Sequence, residues 1–529
     1  MDIRFSTGIF VILLLTAGTL NAADARLADA AMKRDRESVR SLLKQTSDVN
    51  GGQADGTTAL HWAARWNDLE TADLLIKAGA NVRATNRETA TPLYLAAVNG
   101  SAPMLERLLK AGADPNSALL GGETALMTAA NTGSVDAVKV LLKYGAAVNG
   151  KEKVKGQTAL MWAAAENHAA VVQLLIDNGA DILACTNVDL VNSTNGFIIS
   201  GPGVPTLPCT RGGKPQPRPE PAPGAVGRGG RPARPPGPPL GGSGGGAMTP
   251  FLFAVRANAT ESIRVLMAAG SDVNQTMADG TSAMIVAIIN GHYNLAKFLM
   301  DQGADPNAAD LRGRTALYAA VDMRNYRWSE LPKPSGDDLD PLDLIKAILA
   351  RGANPNTRLT NPIPYRGPSN FSNVFQSMVG ATPFLRATES GDTTVMRLLL
   401  AHGADPKIPL SDNTTALMLA SGIGRADGST FEWSESETLA AVKMCLELGI
   451  DINAANGEGL TALHGAAHRG SNEIVEFLAS KGAKLDAKDS EGRRPLEWAE
   501  GVAIIDQRPP RPQPHTVALL QKLMGGPTR

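Results

Sequence analysis

Apolar and polar positions recur along this chain with a spacing stated most plainly at residues 56–82, GTTALHWAARWNDLETADLLIKAGANV. Thr58 is placed to cap a short helix starting at Ala59, its hydroxyl accepting a backbone N–H that has no helical partner. Ala63 and Ala64 keep that helix thin enough for close approach by neighbours. Asn67 and Asp68 break it and start a second helix, in which Leu69, Ala72, Leu75 and Ile76 keep helical spacing. Gly79 ends the second helix, because glycine takes a left-handed C-cap at little cost. A helical hairpin of this size cannot bury its own apolar face, so the pattern predicts copies stacked on either side.

The position of Thr58 recurs at Thr91, Thr124, Thr158, Thr249, Ser282, Thr315, Thr382, Thr415 and Thr461, with Arg494 in a degenerate last copy. Most gaps are 33 or 34 residues; those from 158 to 249, 315 to 382 and 415 to 461 are longer and mark inserted material. Stop signals recur in phase, among them AGAN (78–81), AGADPN (111–116), QGADPN (302–307), RGANPN (351–356) and KGAKLD (481–486). These paired signals resemble the ankyrin repeat family, whose consensus opens on TPLHxAA and closes on GADVN. The resemblance covers roughly Ala22 to Met524 apart from the inserts. It implies an all-α solenoid of stacked helix-turn-helix units with short β-hairpin-like loops, and a role in binding other proteins.

Composition changes this picture little. Apolar residues at 43% suffice for a core, and aromatics at 4% suit packing by thin Ala/Leu helices. A solenoid removes the size limit on a single core, because each repeat touches only its neighbours. The formal net charge of −1 argues against nucleic acid as a partner.

Residues 1–22 read as a secretory signal peptide, with Arg4 in the n-region, an apolar run over 5–20 and small residues at Asn21–Ala23. The expectation is an exported protein, periplasmic or extracellular, whose mature form begins near Ala23, monomeric and without a membrane span after cleavage. Residues 23–184 hold a polar N-terminal cap and repeats one to four. Residues 185–247 form a Pro/Gly-rich insert expected to be disordered, and 248–529 hold repeats five to eleven with a C-terminal cap. One continuous stack with a long loop is the first expectation, and two solenoids joined by a tether the second. The tract 211–246 carries six Lys/Arg against one Glu, which suits either a solvated linker or a tether to an anionic envelope surface. Shorter inserts at 323–341, 357–377 and 422–436 carry aromatics, including Trp328 and Trp433. They either pin each insert to its own repeat or contribute to a partner-binding patch.

Candidate chemistry is sparse. Cys185 and Cys209 either pair in an oxidising compartment or remain two free thiols, while Cys445 sits among apolar residues as a buried thiol. His464 and His468 have metal-ligand spacing but no third ligand; His464, like His61, also occupies the TPLH position. Gly241–Gly245 fits GxSxG, and GIGRADG (422–428) loosely fits a phosphate loop, both without the strand context that chemistry needs. No cofactor, metal or catalytic group is therefore expected. An enzyme built from the three shorter inserts is the less favoured alternative.

In a stack resembling ankyrins, the first helices and extended loops face a groove. Residues at those positions are Arg65, Trp66, Arg87, Glu88, Leu120, Lys155, Glu166, Arg256, Leu311 and Arg312, with Val154, Ala165, His468 and Arg469 beside them. Trp66 is the favoured single contact, because other copies hold Thr132, Glu166 and Ala257 in its slot, and Trp beside Arg is typical of binding hot spots. Trp62 and Trp162 are expected to point into the stack as core.

Overall fold

The computed structural model describes residues 25–45, 48–187, 246–325, 338–361, 363, 378–424, 434–501 and 512–525. The expected signal peptide, Cys209, Trp328, Trp433, Gly241–Gly245 and most of the four inserts lie outside the described residues. Those residues contain 24 helices and no sheet. They fall into two compact units, one ending at Asp272 and the other beginning at Val273.

The first unit holds six helical hairpins. Their inner helices are α1 (Ala25–Met32), α3 (Ala59–Arg65), α5 (Pro92–Val98), α7 (Ala125–Asn131), α9 (Ala159–Ala165) and α11 (Pro250–Arg256). Their outer helices are α2 (Arg36–Gln45), α4 (Leu69–Lys77), α6 (Ala102–Lys110), α8 (Val135–Lys143), α10 (Ala169–Asp177) and α12 (Thr260–Ala268). Each inner helix packs on the next inner helix and each outer on the next outer, so α11 packs directly on α9 across the long insert. The two ends of that insert are joined: the Thr186 amide donates to the Met248 carbonyl (3.1 Å) and the Ala247 amide to the Thr186 carbonyl (3.2 Å).

The second unit repeats the arrangement. Its inner helices are α13 (Ala283–Ile289), α15 (Ala316–Arg324), α17 (Pro383–Ser390), α19 (Ala416–Ser421), α21 (Ala462–Arg469) and α23 (Pro495–Ala499). Its outer helices are α14 (Tyr293–Asp301), α16 (Pro341–Ala350), α18 (Thr393–Ala401), α20 (Glu435–Glu447), α22 (Asn472–Ser480) and α24 (Pro514–Leu523). The closing helix starts at Pro514, because proline suits the first turn of a helix.

Side chains of the repeated phrase account for the stacking. The N-cap hydroxyls of Thr91, Thr124, Thr158, Thr249, Thr315 and Thr382 accept the N3 backbone amide of their own helix. At Thr58 and Thr461 the N3 residue is a histidine whose ring joins the cap. The Thr58 amide donates to His61 Nδ1 (3.1 Å), and His61 Nε2 bonds to the Ala90 carbonyl of the next repeat (3.0 Å). His464 does the same with Thr461 and the Arg493 carbonyl. Burial lowers the pKa of both imidazoles. The asparagine closing each phrase joins repeats. Asn116 donates to the Gly145 carbonyl and accepts from the Ala147 amide (3.1 and 2.8 Å), and Asn149, Asn307, Asn356 and Asn453 repeat the device.

Candidate functional site

The loop before an inner helix forms a finger, held in several repeats by one acidic or amide side chain. Asn86 accepts the amides of Glu88 and Ala90, and Glu152 those of Val154, Lys155 and Gln157. Isolated antiparallel bridges, Gly52 to Thr58 and Ala118 to Thr124, close two of these fingers. Neighbouring fingers are linked by backbone bonds, Arg87 N to Asp55 O (2.7 Å), Lys153 N to Gly121 O (2.7 Å) and Asn187 N to Lys155 O (2.8 Å). The tips are therefore fixed, and they present Arg87, Glu88, Lys153 and Lys155 to solvent. Leu120 is 70% exposed and Val154 64%.

The inner helices supply the other wall of this face. Four residues after each N-cap stand Trp62, Leu95, Thr128, Trp162 and Phe253; four further on stand Trp66, Asn99, Thr132, Glu166 and Ala257. Residues four apart share a helix face. All five of the latter set are exposed. Trp62 and Trp162 are not core: both are half-buried, and their indole N–H groups donate to Gln53 and Gln157 in the fingers (2.9 Å each). An indole carries a donor that has to be satisfied, and this edge of the helix, between core and solvent, supplies an acceptor. Trp66 is 36% exposed. Its ring stacks on Trp62 at 5.8 Å, lies under the Arg34 guanidinium at 4.3 Å, and donates to the Met32 carbonyl (3.1 Å).

Of the residues singled out in the sequence, Arg65, Trp66, Arg87, Glu88, Leu120, Lys155, Glu166 and Arg256 thus belong to one unit, with Arg65 and Arg256 exposed at the ends of their helices. Leu311 (56% exposed) and the half-buried Arg312 sit on a finger of the second unit. Trp328 and Trp433 lie outside the described residues.

In the second unit the position four residues after the N-cap is closed in every repeat, whereas in the first only Thr128 and Phe253 are buried there. Val286, Ala319, Arg386, Leu419, Gly465 and Trp498 are all buried. Arg386 bonds Asp322 Oδ1 (2.6 Å), Ser390 Oγ (2.6 Å) and the Asn325 carbonyl (3.2 Å), with Glu389 at 3.3 Å. Burial pushes the Glu389 carboxyl above its ordinary value, with Arg386 opposing it. Beside it Arg324 bonds the buried Asp392 (2.8 Å). Sequence reasoning missed this network, although an arginine at the fifth position of TPFLR (382–386) departs visibly from the small or apolar residues of other copies.

Among the described residues no cluster of three or more potential metal ligands occurs. Both nitrogens of His464 are engaged in the repeat, and His468 meets the edge of Trp498 at 5.6 Å. Burial pushes the Cys445 thiol up to about 12, which removes its nucleophilic character at neutral pH. Gly422 of GIGRADG is the C-cap of α19, where carbonyls rather than amides point outward, so it cannot cradle a phosphate. Cys185 is buried and disulfide-bonded; Cys209 lies outside the described residues. No described helix is long and apolar enough to cross a membrane.

Comparison with known proteins places these features. The family model described as Ankyrin repeats (3 copies) matches residues 27–119, 104–184, 251–330 and 433–503, more than half of the chain. The chain is similar to the E3 ubiquitin-protein ligase KEG of Arabidopsis thaliana, 25% identical over 48% of the chain and 16% of that protein. It is also similar to alpha-latrocrustotoxin-Lt1a of Latrodectus tredecimguttatus, 25% identical over 47% of the chain and 22% of the toxin. Ankyrin repeat and SOCS box protein 16 of Homo sapiens is 32% identical over 41% of the chain and 47% of its own length. The matches span less than half of each of these relatives. Ankyrin repeats generally mediate protein–protein interaction and are typically non-catalytic. By the extent of the family match and the repeated helical hairpins, the chain belongs to the ankyrin repeat family.

Proposed function

We propose that this chain is an exported, non-catalytic scaffold that grips another protein along the open face of its first unit. The observation that carries this reading is the run of exposed residues Trp66, Asn99, Thr132, Glu166 and Ala257 at one position of five successive inner helices. A face already ordered by fingers and helices loses little conformational freedom on binding. The apolar stretch at residues 5–20 and the disulfide at Cys185 support export into an oxidising compartment.

The test is capture of proteins from the envelope fraction by the full chain and by a Leu120→Ser/Val154→Ser variant. Both side chains are largely solvated, so the melting temperature should not change while the retained protein is lost. Undiminished capture would remove the first unit's face from consideration. A second reading, envelope tethering through residues 211–246, draws support from the bonds joining Thr186 to Ala247 and Met248, which leave the stack intact whatever the tract does. Deleting 211–246 should abolish envelope retention under that reading and leave it unchanged under the first.

A further inference from the structure

We propose that the occupant of the first unit's open face is an extended, acidic polypeptide segment with two apolar side chains about three residues apart. The inference rests on the protein-binding reading above and adds the chemistry of the partner. It starts from how the fold sorts charge. The chain as a whole carries a formal −1. On this face, however, Arg65, Arg87, Lys153, Lys155 and Arg256 are exposed against Asp55, Glu88 and Glu166.

The sorting has a visible cause. In KEKVK (151–155) the glutamate is buried, accepting three finger amides, while Lys153, Val154 and Lys155 are turned out. Asp55, although exposed, is engaged by the amide and hydroxyl of Thr57, and the half-buried Asp29 by Gln53. Carboxylates on this side are engaged in building the fingers, and the exposed cations outnumber the exposed carboxylates. The result is a face complementary to carboxylates, which favours fast and selective encounter with an acidic partner.

The apolar requirement comes from the tips. Leu120 and Val154 project from adjacent fingers joined by the Lys153–Gly121 backbone bond. Stacked helices lie about 10 Å apart, and an extended chain advances about 3.3 Å per residue. One segment laid along the fingers therefore meets successive tips roughly every third residue. Glu88 and Glu166 within the row, and apolar side chains at the tips, suit a peptide better than a polyphosphate.

The experiment is selection of a random peptide display library on the immobilised full chain. The leading peptide is then titrated by fluorescence anisotropy against the wild type and a Lys153→Glu/Lys155→Glu variant. Selected sequences should be rich in Asp and Glu with Leu, Phe or Trp at three-residue spacing, and affinity should fall about tenfold or more on charge reversal. Neutral or basic selected peptides, no enrichment, or binding indifferent to charge reversal would overturn the inference. So would tighter binding of single-stranded RNA or of phosphatidylserine vesicles offered in the same assay. Loss of envelope-protein capture in the Leu120→Ser/Val154→Ser variant together with neutral selected peptides would sink the acidic partner alone. Undiminished capture by that variant would sink the binding face itself.

Discussion

The two units use the same helical position in opposite ways. In the first unit the residue eight places after the N-cap is exposed in every repeat that follows the cap. In the second, Met323, Ser390 and Ile423 at that position are buried, and Asn290 and Arg469 are half-buried. What differs is the neighbour. Ile423 can fold back onto Met418, Leu460 and Trp498 because residue 465 is glycine: a Cβ there would stand 2.8 Å from the Ile423 amide nitrogen. Arg386 is held inside by two carboxylates and a carbonyl. A repeat position that core packing does not claim is therefore free to be either closed or offered to a partner. The side chain alone does not decide which.

The sharpest way to break this contrast is to remove the cation that closes the second unit. Arg386→Ala leaves Asp322 and Glu389 facing each other without compensation, and breaking a buried pair in this way costs about 3–5 kcal/mol. Leu95→Ala, at the same position in the first unit but half-buried, should cost clearly less. Chemical denaturation of both variants checks the difference. Equal losses would mean that the network does not distinguish the units.

Acid should weaken the closed unit at a second point. Burial opposes ionisation of Asp489, but hydrogen bonds from Arg493, Trp498 and two backbone amides outweigh it and hold the carboxyl at about 2. The unfolded value is about 3.9, so the unfolded chain binds the proton first as pH falls. The stabilisation is complete above about pH 4, is lost as pH drops through about 2, and amounts to roughly 2 kcal/mol. Asp489→Asn should flatten the stability profile between pH 4 and 2. An unaltered profile would show that Asp489 does not titrate with folding.

Much of the fold was legible because the signals are local. Thr58 and its copies mark helix starts, Gly79 and its copies mark stops, and each acts within a few residues of itself. The charged network was not legible for the opposite reason: Arg386 meets Asp322 and Asn325 across more than 60 positions, with inserted sequence between them. Trp62 was misplaced because it stands at the edge between core and face, where a tryptophan fits either side and only the acceptor on Gln53 decides. The inward turn of Glu152 was equally invisible, since KEKVK reads as a uniformly solvated charge run until the finger amides are seen to need an acceptor.

Trp66 sharpens the comparison from the open side. Its variable slot suggested a side chain dispensable to folding, yet stacking on Trp62, the Arg34 cation and the bond to Met32 tie it to the N-terminal hairpin. Trp66→Ala should cost about 1–2 kcal/mol through those contacts. Hydrogen exchange should rise first in residues 25–45, because a terminal repeat depends on one neighbour only. Uniform loss of protection across the unit would argue against so local a role.

The smallest effect tests whether a buried polar group one turn before the open row is kept at a cost. Thr128 stands between Leu95 and Trp162 in the order of repeats, is buried, and its hydroxyl has no hydrogen-bond partner. An unsatisfied buried hydroxyl destabilises a fold, whereas an apolar group of the same shape does not. Thr128→Val keeps the branched shape and removes the orphan oxygen, so stability should be unchanged or rise by up to about 1 kcal/mol. Thermal denaturation reads this directly, and a clear loss of stability would mean that the hydroxyl is satisfied in solution. If the variant is stabilised but binds the selected acidic peptide less tightly, the hydroxyl belongs to the binding face. Unchanged peptide affinity would leave the face to its tips and exposed cations.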